Sequence, residues 1–93
     1  MNSLIVEYDL CNPNSDYDEL ISAIESFPIS EPITKSTWFI KTDKTCKNVI
    51  IFLKQFINSD DRLFVAKLSS SAAWINIRGS GERIKKHMQS INE

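Results

Sequence analysis

The chain predicts an α+β domain built on a four-stranded antiparallel sheet, and three observations carry that prediction. Short runs rich in β-branched and aromatic residues lie at residues 4–10, 37–42 and 62–68. Two stretches between them place apolar residues three and four apart, the spacing of one helix face. At 93 residues the chain can bury one modest core, so these strands and helices must share it.

The first strand reads Leu-Ile-Val-Glu-Tyr-Asp-Leu over residues 4–10, with no glycine or proline. Ile5 and Val6 are branched at Cβ and fit a pleated surface better than a helical turn. Asp9 stands at the carboxyl end of this strand, where open sheets present their chemistry. Cys11-Asn12-Pro13-Asn14 is turn chemistry, since Pro13 fixes φ and Asn14 can bond its own backbone. Ser15 and Asp18 have the spacing of a capping box, so a helix is expected to begin near Asp16. Tyr17, Leu20, Ile21, Ile24 and Phe27 form its apolar stripe, and Pro28 ends it.

Two short strands are expected next, over residues 32–35 and 37–42, with a bend at Lys35-Ser36. Pro32 has no amide donor, which assigns the first of them to a sheet edge or a late start. Residues 42–45 supply turn and cap chemistry for a second helix whose stripe is Cys46, Val49, Ile50, Leu53, Phe56 and Ile57. Residues 62–68 form the fourth strand. Beyond the polar break at Ser69-Ser70-Ser71, a further short strand is expected over residues 72–77. A terminal helix is expected from Glu82, with Ile84, His87 or Met88, and Ile91 turned inward. The order strand, helix, strand, strand, helix, strand is that of the split βαβ, or ferredoxin-like, sheet with helices on one face. Residues 1–93 then form one domain, with a core at about 3–68 and a C-terminal extension at 69–93. Helices on one face leave the other to water or a second molecule. Trp38, Phe39, Ile40, Phe64 and Val65 supply more apolar surface than one face needs, which predicts a homodimer.

Several function classes are excluded by composition. No run approaches the roughly 18 apolar residues of a membrane span, and the amino terminus lacks the basic start of a signal peptide, so a cytoplasmic protein without membrane contact is expected. Cys11 and Cys46 match neither a disulfide framework nor paired zinc spacing. The two glycines, Gly79 and Gly81, make no phosphate loop after a strand. His87 is the one histidine, which removes multi-histidine metal sites and histidine-based triads within one chain. Residues 1–34 carry seven acids and no base, whereas residues 35–93 carry eleven bases against five acids. That division hints at a polyanion partner for the later part, unless folding interleaves the two sets.

The residues left to carry chemistry are Asp9 with Tyr8, and Lys35-Ser36 with Trp38. A single carboxylate holds Mg²⁺ weakly, because that cation wants several oxygen ligands. Two copies of Asp9 brought together by a two-fold axis could share one metal and activate a water against a phosphodiester. The structural alternative has Asp9 capping the turn that follows it.

These segments resemble a known family. Leu4-Ile-Val-Glu-Tyr-Asp-Leu is similar to the opening strand of the CRISPR-associated Cas-two proteins, small ferredoxin-like dimers of the spacer-acquisition machinery. Lys35-Ser36-Thr37-Trp38-Phe39 resembles their middle-strand Lys/Gln-Ser-hydrophobic-Phe segment, and Asp61-Arg62-Leu63-Phe64-Val65 resembles their fourth strand. The likeness spans roughly residues 3–68, and VapD-type toxins share the fold. It implies that Asp9 is a metal-binding and catalytic aspartate for Mg²⁺ or Mn²⁺, and that Ser36 is the hairpin serine beside it. The implied activity is endonucleolytic cleavage of RNA or DNA in some members and non-catalytic bridging of nucleic acid in others. In the non-catalytic case the dimer is a scaffold for nucleic acid or a protein partner, and Asp9 is structural. Lys35, Lys41, Lys44 and Lys47 are the lysines expected to neutralise phosphates. The chain departs from the family in its acidic first helix and in Ile40, where an acidic residue often follows the middle-strand phenylalanine.

Overall fold

The computed structural model describes residues 1–12, 17–69 and 71–89. Within them the chain forms β1 (Asn2–Asp9), α1 (Asp18–Glu25), β2 (Ile29–Pro32), β3 (Thr37–Thr42), α2 (Cys46–Leu53), β4 (Arg62–Lys67) and α3 (Gly81–Gln89), with a 3-10 turn at Lys54–Phe56. The strands form one antiparallel sheet in the order β2-β3-β1-β4. Strands β1 and β2 therefore run parallel with β3 between them, which is the split βαβ arrangement.

Local chemistry accounts for most of the element boundaries. Thr45 caps α2, its hydroxyl accepting the Asn48 amide at 3.2 Å. Helix α1 begins at Asp18 after Tyr17, and no side chain caps it among the described residues. The expected Ser15 cap and the start near Asp16 fall outside those residues. Strand β2 spans Ile29–Pro32 rather than the expected 32–35, because Ile29 pairs with Lys41 and Pro32 with Trp38. The chain then leaves the sheet at Ile33 and bends back through residues 34–36. Pro32 lies on an edge strand, where a missing amide is tolerated.

Alternation along the strands sorts the core into two layers. Leu4, Val6, Tyr8, Trp38 and Ile40 face α1 and α2, where they bury Leu20, Ala23, Ile24, Phe27, Val49 and Leu53. Phe27, Phe52 and Phe56 extend this layer through edge-to-face ring contacts at 5.7 and 5.5 Å. Ile5, Ile29 and Phe39 point to the opposite face. There they pack against Ile84 and Met88 of α3 together with Ile33, Leu68 and Ile77.

Contrary to the sequence-based expectation, part of the second face is covered from within the chain, while Phe64 on the same face stays 64% exposed. The C-terminal extension folds back across this face and covers Phe39, whereas Trp38, Ile40 and Val65 pack on the helix side and Phe64 is left uncovered. Residues 72–77 form no strand; they pass over this face irregularly, with Asn76 at a φ of 54°. Buried polar groups fix the extension in place. Glu31 of β2 pairs with Arg83 and accepts the Ser80 amide at 2.8 Å. Lys41 of β3 donates to the His87 carbonyl at 3.0 Å. Gly79 approaches so closely that its amide reaches the Pro32 carbonyl at 2.7 Å, beside Arg78, whose amide meets the Ile33 carbonyl at 3.0 Å.

Candidate functional site

The antiparallel pairing of β1 with β3 sets the carboxyl end of β1 beside the turn before β3, since Glu7 opposes Thr37. Tyr8, Asp9 and Leu10 consequently line one open cleft with Lys35 and Ser36, and Tyr17 closes its other side; the cleft measures about 380 Å³. Asp9, Lys35 and Ser36 were singled out from distant segments of the sequence, and the fold brings them together.

Tyr8 is the strut of this cleft. Its ring is buried in the helix-side core, and its hydroxyl emerges to donate to the Lys35 carbonyl at 3.1 Å. The same oxygen accepts the Trp38 indole N–H at 3.4 Å. With the Tyr8 amide bonded to the Ser36 carbonyl at 3.0 Å, the 34–36 turn is held to the strand at two points. Thr37 donates to the Glu7 carboxylate on the other face of the sheet.

The opposite wall is organised by Asp61. Its carboxylate accepts the Cys11 amide and the Asn58 amide, each at 2.8 Å, and the Tyr17 hydroxyl at 3.0 Å. Burial pushes the Asp61 carboxyl up, but the hydrogen bonds from Cys11, Asn58 and Tyr17 outweigh it and hold the group below its ordinary value. For Tyr17, burial and the bond to Asp61 both push the phenol above its ordinary value. The thiol of Cys11 donates to the Asp60 carbonyl at 3.0 Å, so the segment after β1 is stapled to the segment before β4.

Asp9 points away from α1 and α2 and meets Arg62, its cross-strand neighbour on β4, through an Nη1 to Oδ2 contact of 3.0 Å. Both side chains are largely exposed, at 69% and 73%. The backbone-capping alternative for Asp9 is not seen among its described bonds, which go to the guanidinium. Arg62, Tyr17 and Asp61 carried no functional assignment in the sequence. The signal for Arg62 was positional, since the last residue of β1 must face the first residue of an antiparallel β4.

The expected lysines do not converge. Lys35 is exposed at the cleft. Lys41 is 7% exposed on the face covered by α3, its ammonium bonded to the extension. Lys44 and Lys47 sit beyond the other end of the sheet, where Asn2 opposes Thr42, about 20 Å from Asp9 by the rise of β1. The two halves of unlike charge are partly interleaved by folding, as the pairs Asp9–Arg62 and Glu31–Arg83 each join an early acid to a late base.

Among the described residues no cluster of three or more His, Cys, Asp or Glu side chains could hold a metal ion. Asp9 supplies one carboxylate at this end of the sheet, and that carboxylate is engaged by Arg62. The described residues of a single chain therefore offer fewer oxygen ligands than Mg²⁺ or Mn²⁺ takes. No helix among the described residues is long and apolar enough to cross a membrane. In comparisons with known proteins, the chain matches no family model, no curated protein and no solved structure.

Proposed function

We propose that this chain is a Cas-two-like nucleic-acid-binding protein of the cytoplasm that works as a homodimer, and that it acts as a non-catalytic binding or scaffold module. The observation that carries this reading is the meeting of Lys35 and Ser36 with Asp9 and Tyr17 in one open cleft. An exposed ammonium and a hydroxyl on a braced turn suit a phosphate oxygen, and a half-buried tyrosine ring suits the adjoining sugar or base. Lys44 and Lys47, at the far end of the sheet, would meet a strand long enough to span the domain. Lys41 would take part only through its contact with the extension.

The test is binding of single-stranded RNA and DNA of one sequence across a salt series. Log affinity should fall linearly with log salt, and Lys35→Ala should flatten the slope by about 0.7 for a single strand. A slope untouched by Lys35→Ala would overturn the cleft as the phosphate contact. A salt-independent association would point to a protein partner instead.

Hydrolysis is a second reading, favoured by the exposed Asp9 carboxylate at the strand end that also carries the Ser36 turn. It requires a homodimer in which two Asp9 side chains share one Mg²⁺ or Mn²⁺, with cleavage of RNA or DNA that depends on the metal and disappears in Asp9→Ala. Cleavage that survives Asp9→Ala would remove this reading.

A further inference from the structure

We propose that the cavity beneath the C-terminal extension is a binding site for a small uncharged apolar molecule, of the size of a single aromatic ring or a short hydrocarbon chain. The cavity holds about 130 Å³ between the second face of the sheet and residues 72–88 and opens to solvent past Ala72, Ala73 and Trp74. Its floor is Ile5 and Phe39, its far wall Ile84 and Met88, and Trp74 stands at its rim. The lining side chains carry no heteroatom other than the thioether sulfur of Met88 and the indole nitrogen of Trp74, which packs against Gly81.

Size and chemistry narrow the occupant. A cavity of about 150 Å³ lined by aliphatic and aromatic side chains stays dry and accepts benzene, and this one is of the same order. It is too small for a helix face or a strand, which separates it from a protein-docking groove. It offers no charged partner, since Glu31 is committed to Arg83 and Ser80, and the ammonium of Lys41 to the His87 carbonyl. Any charged ligand would lose its hydration without compensation. The two tryptophans divide the report conveniently: Trp38 is buried on the other side of the sheet, whereas Trp74 is 38% exposed at the cavity mouth. The proposal is independent of the nucleic-acid reading, because the cleft at Asp9 and this cavity share no lining residue.

Titration of the full chain with benzene, toluene and indole tests it, followed by tryptophan fluorescence for the first two and by melting temperature for all three. Saturable binding with a Kd on the order of 0.1–1 mM is expected, together with a rise in melting temperature and a fluorescence change that vanishes in Trp74→Phe while the Trp38 signal stays constant. Ala73→Phe, placed at an exposed lining position, should fill the space and weaken binding at least ~tenfold. Ile75→Ser, outside the cavity and 83% exposed, should leave affinity unchanged and serves as the folded control. Absence of saturation in the wild type would overturn the proposal, as would equal affinity in Ala73→Phe or a fluorescence change that persists in Trp74→Phe.

Discussion

Removing one oxygen from Tyr8 tests the bracing of the candidate cleft. In Tyr8→Phe the ring keeps its buried position, but the Lys35 carbonyl loses its donor and the Trp38 indole loses its acceptor. The first loss exposes a carbonyl that water can reach, so it costs about 0.5–1.5 kcal/mol. The second strands an N–H in the core, where an unmet donor costs about 1–3 kcal/mol, taken near the low end because the 3.4 Å contact is long. Together they give about 2 kcal/mol, which for a domain of 60–100 residues lowers the melting temperature by roughly 8–16 °C. Urea denaturation should show a lower midpoint with unchanged slope. A double-mutant cycle with Trp38→Phe should return a coupling of at least ~0.5 kcal/mol, because both changes remove the same bond. A loss below ~0.5 kcal/mol in Tyr8→Phe, with no coupling to Trp38, would refute the idea that this hydroxyl holds the turn.

Three further outcomes follow from the geometry. Gly79→Ala would place a methyl group 2.7 Å from the Pro32 carbonyl and 2.9 Å from the Glu31 carboxylate. Because the first is backbone, the extension must shift, and denaturation should report a loss of about 1–3 kcal/mol. Asp61 has a lowered folded pKa, so its contribution is present above the unfolded value and is lost as pH falls through the folded one. Asp61→Asn should therefore flatten the acid limb of the stability curve below about pH 4, measured by urea midpoints. His87 is held below its ordinary value by burial and then by Lys41, Arg83 and Lys86, so the unfolded chain binds the proton more readily. Stability should be full above about pH 6.5 and decline as pH falls from there to the folded pKa. His87→Gln should remove that decline.

Sheet and helices were legible because their signals were local. Thr37–Thr42 matches its expected bounds, since β-branched and aromatic residues fill it apart from Lys41. Strand β2 was misplaced toward Ile33 and Thr34 because composition there favours a strand, whereas pairing with β3 selects Ile29–Pro32. Consecutive apolar residues at Trp38-Phe39-Ile40 and Phe64-Val65 supplied more apolar surface than one face needs, from which a homodimer was expected. They could not say that the cover was intramolecular, because α3 shows only Ile84 and Met88 as its buried pair. At the site, the chemistry of Asp9, Lys35 and Ser36 was readable, but the Arg62 partner required the sheet register. Period two, applied from Phe39, puts Lys41 on the same covered face. Its long aliphatic stem makes that burial tolerable, with the ammonium reaching a carbonyl at the margin.

The contact between Asp9 and Arg62 is where the two functional readings part. Exposed ion pairs contribute about 0–1 kcal/mol, so a phosphate can draw Arg62 away from Asp9 at little cost. Doing so leaves a carboxylate facing the phosphate, which opposes binding unless a cation offsets it. A module that only binds nucleic acid should therefore bind it more tightly as Asp9→Asn, by a factor of a few, the range set by one exposed charge pair. A hydrolase should lose divalent-dependent cleavage in the same variant while its metal-free binding improves. Oligonucleotide affinity measured with chelator and again with Mg²⁺ separates these outcomes. If Asp9→Asn weakens binding in chelator, the carboxylate is neither an electrostatic obstacle nor a spare metal ligand. Its salt bridge would then be what shapes the cleft, and Arg62→Ala should weaken binding equally.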